Sequence, residues 1–490
     1  MTNSNRSYAP ANSGADQPRV RGGLLIAVGT VMVVLTNAII FMLPPLLPVI
    51  QTQYDLATVA ETTWLYTALT LGGGAGFIIL PRLADLYGDR NASVAAAAFL
   101  AVGAAIPAIG DSYATLLAGC ILMGFGGASQ LLPLGFLRRN LGDRGITIGV
   151  AVLVIATGIG ILVGMLGGGF VLENLSLRAI FVILAVLSAA TTLACRVVIP
   201  HRPPAERNGR MGILGTVWMI AWVAAVLLTL TQGLVWGGAA LIPLALGIVG
   251  GIAWLRVERK STSAVFDVAL MKAPLVTVSC VSIALFAAVN AAFLLLLSTY
   301  VQIVPQQLAP GDAYGLGLTA LQTGWLMVPF ALTFVIGGVI VDGPVNSGRG
   351  LPVLVVGAAI CVAGLAWLAV AHEHQWQYLI GAAVMGLGCS IGYAAGFAMV
   401  QRAVPEAKAG MAAGVAGTFM AVGFAFGTAL VSGDLSATLV AEPGSGLEVA
   451  AKSLYSTGYW LSAVLALLVA VTALVSRVRS GGRATAVAVA

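Results

Sequence analysis

Fourteen separate stretches of mostly apolar residues run through the sequence, and they constrain the fold more than any other feature. A helix that crosses a lipid bilayer needs about 20 such residues, because no water is available there to bind the backbone. Hydrophobic residues make up 59% of the 490 residues and charged residues only 9%, whereas a soluble domain carries about 25% charged residues. The composition excludes a soluble enzyme, a nucleic-acid-binding protein and a secreted disulfide scaffold. It predicts an all-α integral membrane protein.

The apolar stretches are numbered here as spans one to fourteen. The first six are 23–43, 62–81, 92–110, 113–137, 146–171 and 179–196, the next two are 211–231 and 239–255, and the last six are 274–302, 319–341, 351–371, 377–401, 409–432 and 457–476. Residues 1–22 are polar and contain no apolar core. We therefore expect no cleavable signal peptide, and we expect span one to remain as an anchor.

The positions of the basic residues support this count of spans. If the N-terminus is cytoplasmic, 22 of the 24 Lys and Arg residues fall in inner loops, and only Arg178 and Lys452 fall in outer loops. Such an excess of basic residues is typical of the cytoplasmic side. The 18 acidic residues divide evenly, so the inner face carries a net charge of +13 and the outer face −7. This asymmetry predicts a multi-pass protein of the plasma (inner) membrane with both termini cytoplasmic.

Spans four and twelve resemble each other. Span four reads LLAGCILMGFGGAS from Leu116, span twelve reads YLIGAAVMGLGCSI from Tyr378, and five identical pairs keep a constant offset of 262 residues. Both spans run from outside to inside, which indicates a parallel repeat of two six-helix bundles. Chance similarity between two glycine-rich helices is the alternative. The predicted division is a cytoplasmic tail at 1–22, bundles at 23–200 and 274–476, linkers with an inserted two-helix hairpin at 201–273, and a second tail at 477–490.

Small residues are candidates for close helix packing. Span five carries Gly160, Gly164 and Gly168 at a spacing of four, which lets neighbouring helices approach closely. Two bundles that rock about a central site, as in alternating access, need such contacts, although static packing explains the glycines equally well. The five cysteines lie in apolar runs without metal-ligand spacing, and we interpret them as packing residues.

Three motifs resemble the major facilitator superfamily, in particular its fourteen-helix drug:proton antiporter branch. The segment PRLADLYGDR, which contains Arg82, Asp85, Gly88 and Arg90, is similar to the signature loop G-x-L-a-D-r-x-G-r-k, and Asp342 to Arg349 is a weaker echo in the second half. LTALQTGWLMVP from Leu318 and VPEAKAGMAAG from Val404 look like two further motifs of the branch. In the signature loop, Asp85 is expected to pair with an arginine of a neighbouring loop and so to latch one conformation.

The sequence departs from this family pattern where proton-handling residues are usual. Span one has Asn37 where the family commonly has an acid, and span four has Cys120 and Met123 at the positions of the usual Arg and Gln. The glycine motif G-P-x-x-G-G of span five appears as Gly164 to Gly169, with Met165 in place of the proline. The resemblance therefore implies the transporter scaffold without the usual proton-handling pair.

No Asp, Glu, Lys, Arg or His lies in the central part of any span. The remaining candidates for a proton site are Glu61, Glu173 and Asp434 near the outer helix ends, of which Glu173 and Asp434 are preferred. Solvated helix-end carboxylates are the alternative interpretation. A transporter driven by protons needs a titratable group that changes exposure. We therefore expect coupling that is weak, peripheral or absent.

The resemblance implies a substrate cavity between spans one, four, nine and twelve and their neighbours. The polar and aromatic candidates for its lining are Asn37, Phe41, Gln130, Asn290, Trp325, Tyr393 and Phe397. Buried amides also serve as hydrogen-bond links between helices, which is the alternative for Gln130 and Asn290. An uncharged cavity with aromatic walls favours neutral or amphipathic substrates.

The leading functional hypothesis is a monomeric secondary transporter that exports drug-like, antibiotic or secondary-metabolite compounds by alternating access, with protons as a second partner. The alternatives are an uncoupled facilitator or lipid transporter on the same fold, and a membrane sensor that transports nothing. We expect no enzymatic activity, because no catalytic set, metal-ligand cluster or phosphate-binding loop is present in the sequence. No cofactor, metal or nucleic-acid partner is expected.

Overall fold

The computed structural model describes residues 19–56, 59–141, 143–201, 213–258, 273–308, 313–404, 409–441 and 448–488. Thirteen helices in these ranges are long and apolar enough to cross a membrane. The predicted all-α membrane fold is confirmed. The predicted linker residues 202–212 and 259–272, and residues 405–408 of the motif after Val404, lie outside the described ranges.

The first bundle consists of spans one to six. Span one is Arg19–Gln53, span two is Trp64–Tyr87 after a short helix Val59–Thr62, and span three is Asp89–Ile109. Span four is Tyr113–Gly127 and Leu132–Leu141, joined by the 3-10 turn Ala128–Leu131. Span five is Asp143–Leu162 and Gly168–Asn174 around the π-helical turn Val163–Gly167, and span six is Leu177–Val198.

The inserted pair and the second bundle follow. Spans seven and eight are Ile213–Trp236 and, after the 3-10 turn Gly237–Ala240, Leu241–Glu258. Spans nine to fourteen are Pro274–Gln302, Ala320–Leu326 with Val328–Ile340, Gly350–Val370, Gln375–Arg402, Ala409–Leu435 and Lys452–Ala488. Ile213–Trp236 has 24 residues and contains no charged residue. Every one of the fourteen predicted spans therefore coincides with a helix.

The second bundle also contains shorter elements that the sequence analysis did not predict. A 3-10 turn, Pro305–Gln307, follows span nine, and a short helix, Asp342–Asn346, lies between spans ten and eleven. Strands β1 (Leu439–Ala441) and β2 (Glu448–Ala450) pair antiparallel before span fourteen.

Two helices extend well beyond their predicted ends. Span one was predicted to stop at residue 43, yet its helix continues through Pro44, Pro45 and Pro48. Proline breaks helices in water by removing a backbone donor, whereas in a membrane protein the neighbouring helices can satisfy the groups that it leaves. Span fourteen continues to Ala488, through residues that were predicted to form a tail.

Several helix starts follow from their local sequence. Ser112 accepts the backbone N–H of Thr115, and Thr319 and Gln322 cap span ten reciprocally. Both arrangements satisfy N–H groups that have no partner within the helix. Span nine starts at Pro274, a residue favoured in the first turn because it has no N–H to leave unpaired.

Equivalent glycines in the two bundles make equivalent contacts. A Cβ at Gly124 would overlap the backbone of Leu69 in span two, and a Cβ at Gly386 would overlap that of Phe330 in span ten. The pairs Gly119/Gly381 and Gly126/Gly388 lie in the same way against spans three and eleven. The two six-helix bundles therefore share one internal packing scheme, at the positions where the sequence repeat was found.

The inserted pair packs on the outside of the two bundles. Val223 of span seven, Trp254 of span eight and Ala425 of span thirteen form a buried cluster, with Leu71 and Ile78 of span two packed against it. Trp254 donates a hydrogen bond from Nε1 to the carbonyl of Gly215, 2.9 Å away, which joins the two helices of the pair. Spans seven and eight thus cover the line along which spans two and thirteen meet.

Candidate substrate cavity and gates

A cluster of six aromatic rings lies where the two bundles meet, and we call it the central aromatic cluster: Phe41, Phe286, Phe293, Phe330, Phe334 and Tyr393. The ring centroid of Phe41, in the first bundle, lies 6.4 Å from that of Phe330, in the second. Phe330 stacks on Phe293 at 5.8 Å and on Phe334 at 5.9 Å. Tyr393 continues the cluster, 6.4 Å from Phe334 and 6.3 Å from Phe286. These rings occupy the region in which the sequence predicts a cavity.

Asn290 is the polar residue that lies in this cluster. Its side chain is buried and lies beside the hydroxyl of Tyr393 in span twelve. Among the described residues, its buried Oδ1 atom has no hydrogen-bond partner. Because a buried acceptor without a partner costs about 1–3 kcal/mol, this atom is suited to accept a hydrogen bond from a bound molecule or water.

The other two predicted amides, Asn37 and Gln130, lie within the first bundle. Asn37 donates from Nδ2 to the carbonyl of Val33 at 2.9 Å and to the hydroxyl of Thr157 in span five at 3.4 Å. Gln130 is buried in the 3-10 turn of span four. The adjacent Ser129 lies 3.2 Å, oxygen to oxygen, from Thr36 of span one. Asn37 therefore links two helices of the same bundle.

Phe397 and Trp325 are not among the six rings of the central aromatic cluster. Phe397 is half-buried and packs against buried residues of both bundles. Trp325 is 58% exposed and lies on one stripe with Leu332, Ile336 and Val339, which are also exposed. This stripe is the outer surface of span ten, since Phe330 and Phe334 on its opposite side are buried. The structure therefore does not bring Trp325 to the central aromatic cluster, because the helix phase turns it outward.

Phe293, Phe330 and Phe334 were not among the predicted lining residues. Phe330 and Phe334 are four residues apart, so they project from one face of a helix. This spacing is visible in the sequence. The contact between that face and Phe41, 289 positions earlier in the chain, is not.

One seam between the bundles is formed by spans five and ten. A Cβ at Gly169 would lie 2.6 Å from the backbone of Leu321, and one at Gly324 would lie 2.9 Å from the carbonyl oxygen of Met165. Further along, Gly158 lies against Val335, and Gly338 lies against Val154. Glycines from both bundles therefore let these two helices pack along their whole shared length.

The other seam is formed by spans two and thirteen. Gly414 and Gly417 pack on Phe77, and towards the opposite end Tyr66 lies 5.7 Å from Phe424, centroid to centroid. A cavity of about 20 Å³, lined by Arg82, Asp85 and Met411 among others, lies beside this seam. It has room for about one water molecule. Both seams are thus in contact near both ends of the helices.

The predicted glycines of span five contact two different helices. Gly160, Gly164 and Gly168 lie against Asn37, Ala38 and Met42 of span one, within the first bundle. Gly169 points the other way, to span ten of the second bundle. The π-helical turn Val163–Gly167 contains Met165, which stands where the family has proline. Only Gly169 of the four glycines therefore belongs to the seam.

The predicted signature loop is built around a turn at Gly88, whose φ of 86° favours glycine. We call the end of the molecule that carries Gly88 the inner end and the opposite one the outer end. Arg139, at the end of span four, donates from Nε to Asp89 Oδ2 at 2.7 Å and from Nη2 to Asp89 Oδ1. Asp85 lies 3.8 Å from the same guanidinium group. Asp89, which the sequence analysis did not single out, is thus the closer partner.

The second bundle repeats this arrangement with different atoms. Gly348 has a φ of 78°, and Arg402 at the end of span twelve donates a hydrogen bond to the backbone carbonyl of Val345. Arg349 is exposed, and Asp342 begins the short helix of this loop. In the second bundle a backbone carbonyl therefore accepts the hydrogen bond of the arginine, whereas in the first bundle a carboxylate accepts it. Arg82 and Arg90 of the signature loop are both half-buried.

The two preferred acids lie at the outer ends of spans five and thirteen. Glu173 accepts the backbone N–H of Leu321 across the seam, with Oε1 3.2 Å from the nitrogen. Asp434 is half-buried, and its Oδ2 atom faces Gly458 of span fourteen and has no hydrogen-bond partner among the described residues. The backbone carbonyl of Glu61 accepts a hydrogen bond from the Tyr113 hydroxyl at 2.6 Å. Glu173 thus hydrogen-bonds across the seam between spans five and ten.

Two similar six-helix bundles with an uncharged aromatic cluster between them define a polytopic membrane transporter fold. The sequence profile of the Major Facilitator Superfamily matches residues 27–206, 190–428 and 279–488. The chain belongs to this superfamily, as the sequence motifs indicate.

Relatives of the chain carry names that refer to drug resistance or to export. It is 24% identical over 389 residues to the multidrug resistance protein Stp of Mycobacterium tuberculosis (strain CDC 1551 / Oshkosh), a match covering 77% of this chain and 69% of Stp. It is 24% identical to the multidrug efflux pump LfrA of Mycolicibacterium smegmatis, over 83% of this chain and 78% of that protein. The tetracenomycin C resistance and export protein of Streptomyces glaucescens is 23% identical, over 83% and 74%.

Solved structures agree in fold. The human organic anion transporter MFSD10 (TETRAN) matches with a TM-score of 0.60 at 14% identity, over 92% of this chain and 100% of the other. A mutant of the nucleoside transporter NupG matches with a TM-score of 0.62 at 13% identity, over 93% and 99%. At such identities the likeness establishes the fold.

Proposed function

We propose that the protein exports drug-like, antibiotic or secondary-metabolite compounds by alternating access, with the central aromatic cluster as the substrate site. The observation that carries this proposal is the cluster itself, which joins Phe41 of one bundle to Phe330 of the other at 6.4 Å. A molecule that binds between these rings contacts both bundles. Rocking of the bundles then exposes it to one side of the membrane or to the other.

The chemistry of this site favours neutral or amphipathic substrates. Its walls are aromatic rings, and its polar groups are the Tyr393 hydroxyl and the Asn290 amide. A charged substrate would lose its hydration there without gaining a counter-ion. The names of the relatives, which include multidrug and antibiotic exporters, agree with a site of this kind.

We further propose that the inner end faces the cytoplasm in the plasma membrane and that both termini lie there. The support is the asymmetry of the charges, since 22 of the 24 basic residues fall in the loops assigned to this side. In this orientation Glu173 and Asp434 face the outside. Export then requires opening at the outer ends of the seams.

Glu173 is proposed as the residue through which protons act, if transport is coupled. As a carboxylate it accepts the N–H of Leu321 and holds the outer end of the seam between spans five and ten. Protonation from the outside removes its charge and weakens this bond, since hydrogen bonds to charged groups are about twice as strong as neutral ones. External protons would thus favour opening of the outer end.

An efflux assay tests the substrate site. Cells that express the chain are loaded with a panel of neutral, amphipathic and charged dyes, and efflux is measured with and without a protonophore. Asn290→Leu should reduce the efflux of neutral and amphipathic dyes, whereas Asn37→Leu should leave it near normal, because Asn37 bonds within one bundle. Equal efflux from both variants and the wild type would place the site elsewhere.

A vesicle assay tests proton coupling. An imposed pH gradient should drive accumulation by the wild type and less by Glu173→Gln, while the exposed outer control Asp111→Asn should behave as the wild type. Asp434→Asn tests the second candidate for the proton site, Asp434, in the same assay. If the gradient drives accumulation that neither neutralisation changes, both acids are excluded.

An uncoupled facilitator is the second candidate function. The observation that favours it is the absence of Asp, Glu, Lys, Arg and His from the central part of every span. Transport that equilibrates the substrate regardless of the pH gradient would establish it. A protein that binds none of the dyes, judged by the absence of any thermal shift, would support a sensor role instead.

A further inference from the structure

Six ring side chains form a second buried cluster at the outer end of the second bundle, and we call it the outer cap: Tyr300, Tyr314, His372, Tyr378, Tyr455 and Tyr459. All six are buried. They come from spans nine, twelve and fourteen, from the loop after span nine and from the turn between spans eleven and twelve. This cluster is separate from the central aromatic cluster, and the proposed function makes no use of it.

Tyr300 is the centre of the outer cap. Its ring centroid lies 5.0 Å from that of Tyr455, 5.1 Å from that of His372 and 5.5 Å from that of Tyr314. Tyr314 donates a hydrogen bond to the carbonyl of Ala450 in β2. Ser456 of span fourteen donates to the carbonyl of Ala369, 2.7 Å away at the end of span eleven. The outer cap thus joins the outer ends of four helices.

His372 is a histidine buried among these rings. Its Nδ1 atom lies 2.8 Å from the carbonyl oxygen of Leu368, so Nδ1 carries the hydrogen and donates. Its Nε2 atom is buried and has no hydrogen-bond partner in the described part of the chain. The buried hydroxyl groups of Tyr378 and Tyr459 interact with each other, and the Tyr459 ring lies 6.1 Å from the imidazole.

The charged groups near His372 lie at the surface of the outer cap. Lys452 at the start of span fourteen pairs with Glu373 of the turn, with Nζ 2.6 Å from Oε1. His374 is exposed. Among the described residues, the titratable groups of the outer cap and of the surface beside it are Tyr300, Tyr314, Tyr378, Tyr455, Tyr459, Glu373, His374 and Lys452.

We propose that His372 is a proton-sensitive latch, whose protonation from the outer solution loosens the packing of span fourteen against the turn between spans eleven and twelve. The imidazolium form would place a charge and a second N–H donor among buried rings. Its charge is best satisfied by water, which enters only if the outer cap separates. The inference is independent of the proposed export function, because it concerns a rearrangement within the second bundle.

The direction of the pH effect follows from the environment of His372. Burial lowers the pKa of His372 and Lys452 lowers it further, while the bond to the Leu368 carbonyl and the charge of Glu373 oppose them. The packed outer cap therefore favours the neutral imidazole. Its stability is fully present above the ordinary histidine pKa of about 6.5 and is lost as the pH falls below that value.

The three histidines of the chain, His201, His372 and His374, make this latch testable by NMR. The full-length protein is labelled with ¹³C-histidine in detergent, and the ring signals are followed from pH 8 to pH 5. We expect one signal to titrate at lower pH than the other two and to disappear in His372→Asn. Three signals that titrate together would overturn the proposal, and this measurement on the wild type needs no variant to fold.

Thermal stability and hydrogen exchange test whether protonation of His372 loosens the outer cap. The melting temperature of the wild type should fall between pH 7.5 and pH 5.0. His372→Asn, which keeps a donor for the Leu368 carbonyl, should lose more than half of that fall, and the exposed control His374→Asn should keep it. Exchange corrected for the intrinsic rate should rise at pH 5.0 in peptides around 368–378 and 452–460. Unchanged exchange there, or an equal fall in all three proteins, would refute the latch.

Discussion

At the scale of single residues, the ion pair at the signature loop differs from what the motif implies. The family resemblance points to Asp85 as the partner of an arginine, and the structure places Asp85 3.8 Å from Arg139. Asp89 instead makes two hydrogen bonds to that guanidinium group. A bidentate pair fixes both distance and orientation. Asp89 therefore contributes more to holding span four against the turn at Gly88.

Asp89→Asn is expected to destabilise the protein. The Asp89 side chain is 10% exposed and that of Arg139 is 39% exposed, so solvent screens part of the pair and the loss should be about 1 kcal/mol. Asp111→Asn is the matched control, because Asp111 also pairs with an arginine, Arg178 at 3.6 Å, but is 84% exposed. Melting temperatures in one detergent measure the difference. Equal changes in the two variants would contradict the assigned role of Asp89.

At the scale of helices, the existence of each span was predictable from the sequence, whereas its ends and its rotation were not. Apolar length alone identifies a membrane helix, and all fourteen spans coincide with helices. The continuation of span one through Pro44 and Pro45 depends on neighbouring helices that a local rule does not include. The outward position of Trp325 depends on which face of span ten packs on span five, which is again a contact between distant parts of the chain.

The repeated glycines determine how closely the helices of each bundle approach. Gly124→Ala and Gly386→Ala should each destabilise the protein by about 1–3 kcal/mol, because the added methyl group overlaps backbone atoms of Leu69 or Phe330 and forces the helices apart. The control is Gly73→Ala, where the nearest atom to an added Cβ is 3.6 Å away, an ordinary contact. Thermal unfolding of the detergent-purified variants measures all three. If the two equivalent variants differ as much from each other as from the control, the bundles do not share one packing scheme.

At the scale of the whole molecule, the sequence predicts two bundles but not how they face each other. The match between spans four and twelve identifies the repeat, because equivalent glycines meet equivalent neighbours. The repeat exchanges the two seams, since span two corresponds to span ten and span five to span thirteen, but a match between sequences does not show that two and thirteen, or five and ten, are in contact. The central aromatic cluster lies between the two bundles that these seams join. Its polar residue Asn290 and its rings Phe41 and Tyr393 were predicted, while Phe293, Phe330 and Phe334 became evident only through the contact with span one.

The two seams also differ in their surroundings. Spans seven and eight cover the seam between spans two and thirteen, through the buried cluster of Val223, Trp254 and Ala425. The seam between spans five and ten is lined by glycines on both sides, and Glu173 bonds across its outer end. We therefore expect the seam between spans five and ten to be the better place to restrain the two bundles.

Cross-linking spans five and ten should stop transport if the bundles rock. A Cβ at Gly158 would lie 3.8 Å from the Cβ of Val335, within the range of about 3.5–4.5 Å that a disulfide requires. In a background in which the five native cysteines are replaced, Gly158→Cys with Val335→Cys should form a disulfide under mild oxidation and lose efflux. Reduction should restore it, and each single variant should be insensitive to oxidant. Full efflux from the oxidised double variant, with the cross-link verified by mass spectrometry, would contradict a mechanism in which the seam between spans five and ten opens.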